Sequence, residues 1–345
     1  MTLSVMSAQD MARSLRIPGA TQWGKGATSD HPGKHPMNAS VRLYQKEIQL
    51  WSGHDPVLIA PGSSIFAVGS CFAREIERVL YLKGFNIGSY MLGDVDPGIT
   101  EVTLTNRYNL ASMLLELRRL LESESVLPDT ALLMQQGPET YTDGHYHDYN
   151  GIATGSLDEV LSRRSKFYEQ FQSIRDADSL FFTLGLNEAA YDTRVGLYRN
   201  ISPTVREIRM GEPLEVHTFT TAENLAYLES IYALIRTHCP KNPHIFITVS
   251  PVPLTLTYQE KDVIVANAEG KAILRAAAAE FCASHPDVTY FHSYEMAMSA
   301  APGAVFKGDK RHIKKSFVAT IVAEFLRRHC PELAPEEADA LIGVL

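Results

Sequence analysis

Two adjacent nucleophiles, Ser70 and Cys71, occupy Gly69-Ser70-Cys71-Phe72-Ala73. Ahead of them Ser64-Ile65-Phe66-Ala67-Val68 reads as a buried strand. Behind them Phe72, Ile76, Val79 and Leu80 share one face of a helix. The pair therefore falls on a strand-to-helix turn, where the N–H groups of the first helical turn are unpaired and polarise a nucleophile. A tight turn around a buried thiol has the same letters, so the reading depends on partners elsewhere in the chain.

Three other segments supply partner chemistry. Thr183-Leu184-Gly185-Leu186-Asn187-Glu188 follows an apolar run, and so does Val249-Ser250-Pro251-Val252-Pro253. Asp309-Lys310-Arg311-His312 precedes the last long helical pattern. His312 is the best general base, and Asp309, three residues earlier, can hold its second ring nitrogen or cap the helix that follows. The Asn187 amide, with the backbone N–H groups of Gly185 and Cys71, can hold an oxyanion; alone it reads as a loop cap. A Cys71 thiol at a helix N-terminus near an imidazole ionises close to neutral pH, whereas Ser70 needs His312 to deprotonate it. Asn109, His145, His147, Glu188 and Ser250 are the candidate substrate contacts. His145-Tyr146-His147-Asp148 has ligand-type residues with no evident third ligand, so no metal is expected there. Asp192, Arg107, Lys314 and Lys315 are weaker candidates beside the default of solvated surface.

The elements that must position these groups alternate. Strands are expected over 64–68, 86–91, 179–184, 244–249 and 288–292. Helices are expected over 72–83, 110–122, 157–177, 222–238, 267–284 and 313–328. Continuous apolar runs such as His244-Ile245-Phe246-Ile247-Thr248-Val249 belong to strands buried on both faces of a parallel sheet. Right-handed crossovers then give a three-layer α/β/α sandwich around a mainly parallel, flavodoxin-like sheet of about five strands, with ligands beyond the strand C-termini. Residues 1–37 read as a partly irregular arm with a short helix near 10–15. Residues 38–330 form the main domain, and 331–345 a terminal helix. Insertions at 134–156 and 191–219, the second with a hairpin around Gly211-Glu212-Pro213, could wall a pocket.

Bulk properties exclude several classes. With 345 residues, 45% hydrophobic and 21% charged, the chain has the composition of a soluble protein with a sizeable core. A net charge of −8 leaves no basic footprint for nucleic acid. No apolar stretch reaches the ~20 residues of a membrane span, and the first residues lack a signal-peptide pattern. Cys71, Cys239, Cys282 and Cys330 are widely spaced without a CxxC, so neither a disulfide framework nor a zinc site is suggested. A cytoplasmic protein is expected.

The four segments together resemble the SGNH/GDSL hydrolase superfamily, with its Gly-Asp-Ser, Gly-x-Asn-Asp and Asp-x-x-His blocks. Gly185-Leu186-Asn187-Glu188 stands in for the second block, with Glu for the final Asp, and Asp309 to His312 match the third. The first block departs: Gly-Ser-Cys-Phe-Ala is the naming motif of the GSCFA family, an SGNH-like group. Asn106-Arg107-Tyr108-Asn109-Leu110-Ala111-Ser112 and Lys271-Ala272-Ile273-Leu274-Arg275 also resemble segments of that family. The resemblance runs from about residue 38 to 330. Placing Gly69 on the Gly of Gly-Asp-Ser puts Cys71 on the nucleophile position, which favours Cys71 over Ser70. It implies an esterase or O-acyltransferase acting through an acyl-enzyme on acyl esters, acetyl foremost, of carbohydrates or small molecules. A transferase would need a donor such as acetyl-CoA, for which no phosphate-binding signature is visible; otherwise no cofactor is implied. The competing expectation is a non-catalytic carbohydrate- or ligand-binding module on a degenerate hydrolase fold.

Overall fold

The structure is a computed structural model that describes residues 6–9, 11, 39–43, 50, 56–90, 105–122, 130–144, 154–335 and 341. The chain forms two compact units, one of residues 60–291 and one of residues 1–59 with 292–345.

In the first unit the chain enters β1 (Ser64–Gly69), helix α1 (Cys71–Leu82) and β2 (Asn86–Ile87). Helix α2 (Leu110–Leu121) precedes a small antiparallel sheet of β3 (Leu133–Gly137), β4 (Thr140–Asp143) and β5 (Thr154–Gly155). After α3 (Leu157–Phe171) comes β6 (Ser179–Leu184), buried at every residue. A second antiparallel sheet, β7 (Glu188–Asp192), β8 (Leu197–Tyr198) and β9 (Leu214–Thr218), encloses the short helix α4 (Val205–Met210) in sequence. Helix α5 (Thr221–His238), β10 (His244–Val249), α6 (Val263–Ser284) and β11 (Val288–Tyr290) complete the unit.

All five expected apolar runs enter one sheet, in the order β11-β10-β6-β1-β2, with every pairing parallel. Numbered along the chain the order is 2-1-3-4-5, a flavodoxin-like layout that reverses direction between β1 and β6. Aromatic side chains fill its core: Phe181 stacks on Phe246 at 6.1 Å, and Phe66 meets Phe171 edge-on at 5.3 Å. Burying each such ring contributes roughly 1.5–3 kcal/mol. Helices α3, α4 and α5 each start with a capping box, from Ser156 with Glu159, Thr204 with Glu207 and Thr220 with Glu223.

Several boundaries differ from the sequence reading. The strand expected over 86–91 ends at Ile87, because the Tyr90 N–H turns back to the Ile87 carbonyl. The helix expected over 157–177 changes at Gln172 into a 3-10 turn that ends at Asp176. Helix α6 starts at Val263 rather than 267, where the Asp262 carboxylate accepts the Ile264 N–H. No hairpin turns at Gly211-Glu212-Pro213. Gly211, at φ 68°, ends α4 in the left-handed conformation, and the β9 that follows pairs with β7.

The second unit contains α7 (Ser293–Ser299), α8 (Pro302–Val305) and α9 (Lys315–His329), with a single helical turn at Ala39–Arg42. The Ile59 N–H donates to the His329 carbonyl (2.6 Å), and His329 Nδ1 donates to the Val57 carbonyl (2.9 Å). These bonds join the early segment to α9. After α9, Pro331–Leu333 forms one 3-10 turn and Ala334 is extended, so no α-helix starts there. Most of the helices expected near 10–15 and over 331–345 lies outside the described residues.

Candidate active site

The strand-to-helix turn after β1 exposes the cysteine and buries the serine. Gly69 lies against β6, where an added Cβ would come within 1.9 Å of Thr183 Oγ1. That hydroxyl accepts the Ser70 N–H at 3.3 Å, and the Arg107 N–H donates to the Gly69 carbonyl at 2.7 Å. Ser70 is the N-cap of α1, yet its side chain caps nothing. Its Oγ is buried and faces Ser250 Oγ at 3.5 Å. Cys71 opens α1 and is partly exposed. The helix start therefore has no side-chain cap, and the Ala73 N–H donates to the Ser70 carbonyl at 2.8 Å.

The neighbouring strand ends in a matching turn. Gly69 pairs with Thr183 across β1 and β6, so Cys71 and Gly185 each lie two residues beyond that pair, at the reversal point of the sheet. Gly185 has no room for a side chain, since a Cβ would lie 2.7 Å from the Tyr108 carbonyl oxygen. The same carbonyl accepts the Leu186 N–H at 2.7 Å. Gly185 is thus a close-approach glycine at the place where an oxyanion donor is expected.

Other candidates have structural work. Asn187 is buried, and its Nδ2 donates to the Phe219 carbonyl (2.8 Å) while its Oδ1 accepts from Asn224 Nδ2 (2.7 Å). One amide hydrogen is left for an oxyanion, and the loop-tying role is present as well. Asn109 caps α2, accepting the Ser112 N–H at 2.8 Å and donating to the Arg199 carbonyl at 3.2 Å. It is buried and held as a cap. Glu188 accepts from Thr257 Oγ1 (2.6 Å), Gln259 Nε2 (2.7 Å) and the Tyr258 N–H (3.3 Å), fixing that loop. Ser250 Oγ accepts the Val252 N–H at 3.3 Å and stabilises its own turn. His145, His147 and Asp148 lie outside the described residues. Asp192 is held at about 2 by hydrogen bonds from Arg194 and Arg199 that outweigh its burial. Arg107 pairs with Glu116 at 2.8 Å in the interior.

The sequence reading did not give Lys271 a role. It lies on α6, only 2% exposed, and its Nζ donates to the Gly185 carbonyl at 2.7 Å. Burial pushes the amine down to about 7, against the pull of the Cys71 charge, which acts to raise it. The signal was available: Lys271, Leu274, Ala278 and Phe281 are all buried on α6 at helical spacing, so the lysine occupies a core position. Beside it lies a pocket lined by Gly185, Asn187, Glu188, Gln259, Asn267 and Lys271, among others. Gly270 admits the close approach of Asn187, whose Cβ would lie 3.2 Å from a Cβ there.

In the second unit His312 and Asp309 form the expected pair. His312 Nδ1 and Asp309 Oδ2 are 2.5 Å apart, and Asp309 Oδ1 accepts the N–H groups of Arg311 and His312 at 3.0 Å each. Led by the bond from His312, these hold the Asp309 carboxyl far below the usual carboxylate range. Arg311 Nη1 approaches His312 Nε2 at 3.5 Å; a guanidinium only donates, so Nε2 is the acceptor and Nδ1 carries the proton toward Asp309. That is the tautomer a general base needs. The carboxylate closes the turn and orients the ring together. Lys314 donates to the Gly303 carbonyl at 2.5 Å, which fixes it ahead of α9.

Among the described residues, no helix is long and apolar enough to cross a membrane. In comparisons with known proteins, the GSCFA family model matches residues 64–325. Neither the curated proteins nor the solved structures gave a match.

Proposed function

We propose, from the premise that this chain belongs to the GSCFA family, that it is a cysteine-dependent ester hydrolase or O-acyltransferase with Cys71 as nucleophile. The observation that carries the reading is the turn itself. Ser70 is buried against Ser250, whereas Cys71 lies partly exposed at the uncapped start of α1, in register with Gly185 across the switch point of the sheet. Ligands in such sheets bind beyond the strand C-termini at this point.

In this reading the Cys71 thiolate attacks the acyl carbonyl carbon, forming a C–S bond and a tetrahedral oxyanion. Backbone N–H groups at Gly185 and the start of α1, with the remaining amide hydrogen of Asn187, stabilise that charge; one such donor contributes about 2.7–4 kcal/mol. Collapse breaks the C–O bond, the alcohol leaves with a proton, and a thioester remains. Water or a hydroxyl then resolves it, with His312, oriented by Asp309, as the proton carrier. The fold reading extends to a three-layer, SGNH-like sandwich. Carbohydrate esters are the substrate class proposed; the pocket beside Gly185 is lined by the polar side chains of Asn187, Glu188, Gln259 and Asn267. An acyl donor such as acetyl-CoA enters only for transfer, and a cytoplasmic setting suits a reduced thiol.

A second reading, a ligand-binding module, draws support from Asn187, whose amide is already bonded at both ends. Turnover of p-nitrophenyl acetate, with and without sugar acceptors, separates the two. Loss of activity in Cys71→Ala and His312→Ala, with Ser70→Ala within a few-fold of wild type, supports the enzyme. A wild type no faster than Cys71→Ala supports the binding module.

A further inference from the structure

We infer that Lys271 is the proton partner of Cys71: its amine takes the thiol proton and, as an ammonium, holds the thiolate ready. The inference rests on Cys71 as the reactive group of the proposed site, and it assigns Lys271 a task that the motif comparison leaves open. In the step the S–H bond breaks and an N–H bond forms, giving thiolate and ammonium with no change in redox state. His312 is then left for the protons of the leaving alcohol and the incoming acceptor.

Several observations converge. A lysine almost never occupies a fully buried core position without a reason, because its charge loses solvation there. Lys271 is buried, and its only hydrogen bond among the described residues goes to a neutral acceptor, the Gly185 carbonyl at 2.7 Å. Gly185 sits beyond β6 at the position that Cys71 holds beyond β1. The bond therefore places the amine at the strand end next to the nucleophile turn.

Cys71 on α1 is the group whose charge acts on the Lys271 amine, and Arg74 on the same helix also feels it. Glu188 on β7 and Glu269 on α6 line the same pocket. Their carboxylates are engaged elsewhere, Glu188 with Thr257 and Gln259, and Glu269 with Lys261 at 2.7 Å. A buried amine that titrates near neutral pH is present there as the free base, as an ordinary lysine is not, so it is able to take up the thiol proton, and the thiolate formed is its counter-charge.

The other cysteines lack this arrangement. Burial pushes Cys282 up to about 12 and raises Cys239 and Cys330. They serve as internal controls for a thiol titration.

The test is the pH dependence of iodoacetamide alkylation, mapped to the Cys71 peptide, in wild type, Lys271→Met and Lys271→Arg. Wild-type Cys71 is expected to react with an apparent pKa at least about one unit below the ordinary 8.5 of a free thiol. Lys271→Met is expected to raise that value by about one unit or more, whereas Lys271→Arg, which keeps the charge, holds it low. Superimposable profiles for wild type and a folded Lys271→Met overturn the inference. If Lys271→Met does not fold, trace acetylation of Lys271 by acetic anhydride across pH is compared in wild type and Cys71→Ser. A lower Lys271 titration in Cys71→Ser supports the pairing, and identical titrations overturn it. Neither measurement uses ester turnover. A Lys271-dependent thiol in a protein without esterase activity would defeat the acyl-transfer reading alone, and full turnover with an unshifted thiol in Lys271→Met would defeat the inference alone.

Discussion

Asp309 shows how one side chain holds a turn and orients an imidazole. Its Oδ1 accepts two backbone N–H groups while its Oδ2 faces His312 Nδ1. Asparagine keeps an oxygen for the turn but presents an NH2 to the ring and so favours the wrong tautomer. Asp309→Asn is therefore expected to lower ester turnover by roughly 10²-fold or more with little change in melting temperature. Equal turnover in Asp309→Asn would reduce Asp309 to a turn former. This pair was legible in the sequence because its two members are three residues apart. Lys271 was not singled out, since its partners Gly185 and Cys71 lie 86 and 200 positions away and only the fold unites them. Asn109 shows the converse: a buried cap and a substrate donor have the same residue type, and the Ser112 and Arg199 bonds that engage it come only with the fold.

At the scale of elements, two glycines set how closely the strand ends approach. At Gly69 the obstacle to a Cβ is a side chain, Thr183 Oγ1 at 1.9 Å. At Gly185 it is backbone, the Tyr108 oxygen at 2.7 Å. Both alanine variants are expected to lose about 1–3 kcal/mol, the usual cost of overpacking, measured as a shift in urea midpoint. Only Gly69→Ala should be partly rescued by a second change, Thr183→Ala, because trimming a side chain makes room there. A double-mutant cycle showing additive losses would remove the contact as the cause. The five parallel strands were readable because strands buried on both faces are continuous apolar runs, as in β6. The two antiparallel sheets were not, since β5 and β8 are two residues long and partly exposed, too short to show alternation. The turn chemistry at Gly211 was ambiguous for a local reason: a glycine two residues before a proline suits a hairpin and also a left-handed helix end, and the Thr204–Glu207 capping box upstream goes with the helix.

Across the 60–291 unit as a whole, two buried charges that titrate near neutrality leave a recognisable pH signature on stability. Glu77 is pushed up to about 7 by burial, against the opposing pull of Arg74 at 2.9 Å and the Ser89 hydroxyl. Its folded form binds a proton that the unfolded chain, at 4.5, has released, so stability from this group falls as pH rises from 4.5 through 7. Lys271 runs the other way. Its folded form has lost by about pH 7 a proton that the unfolded chain keeps to 10.5, so stability from this group rises between 7 and 10.5. Together they place a shallow minimum near neutral pH on the background of all other groups. Urea midpoints measured from pH 5 to 10 would expose each limb by difference. Glu77→Gln is expected to gain on wild type as pH rises from 5 to 8. The gain of Lys271→Met is expected below pH 7 and to fade toward 10, even as its thiol reactivity falls. Curves that run parallel to wild type across the range would mean that neither charge is strained by burial. A stabilising Lys271→Met that silences Cys71 would instead identify the lysine as a residue kept for chemistry at a cost in stability.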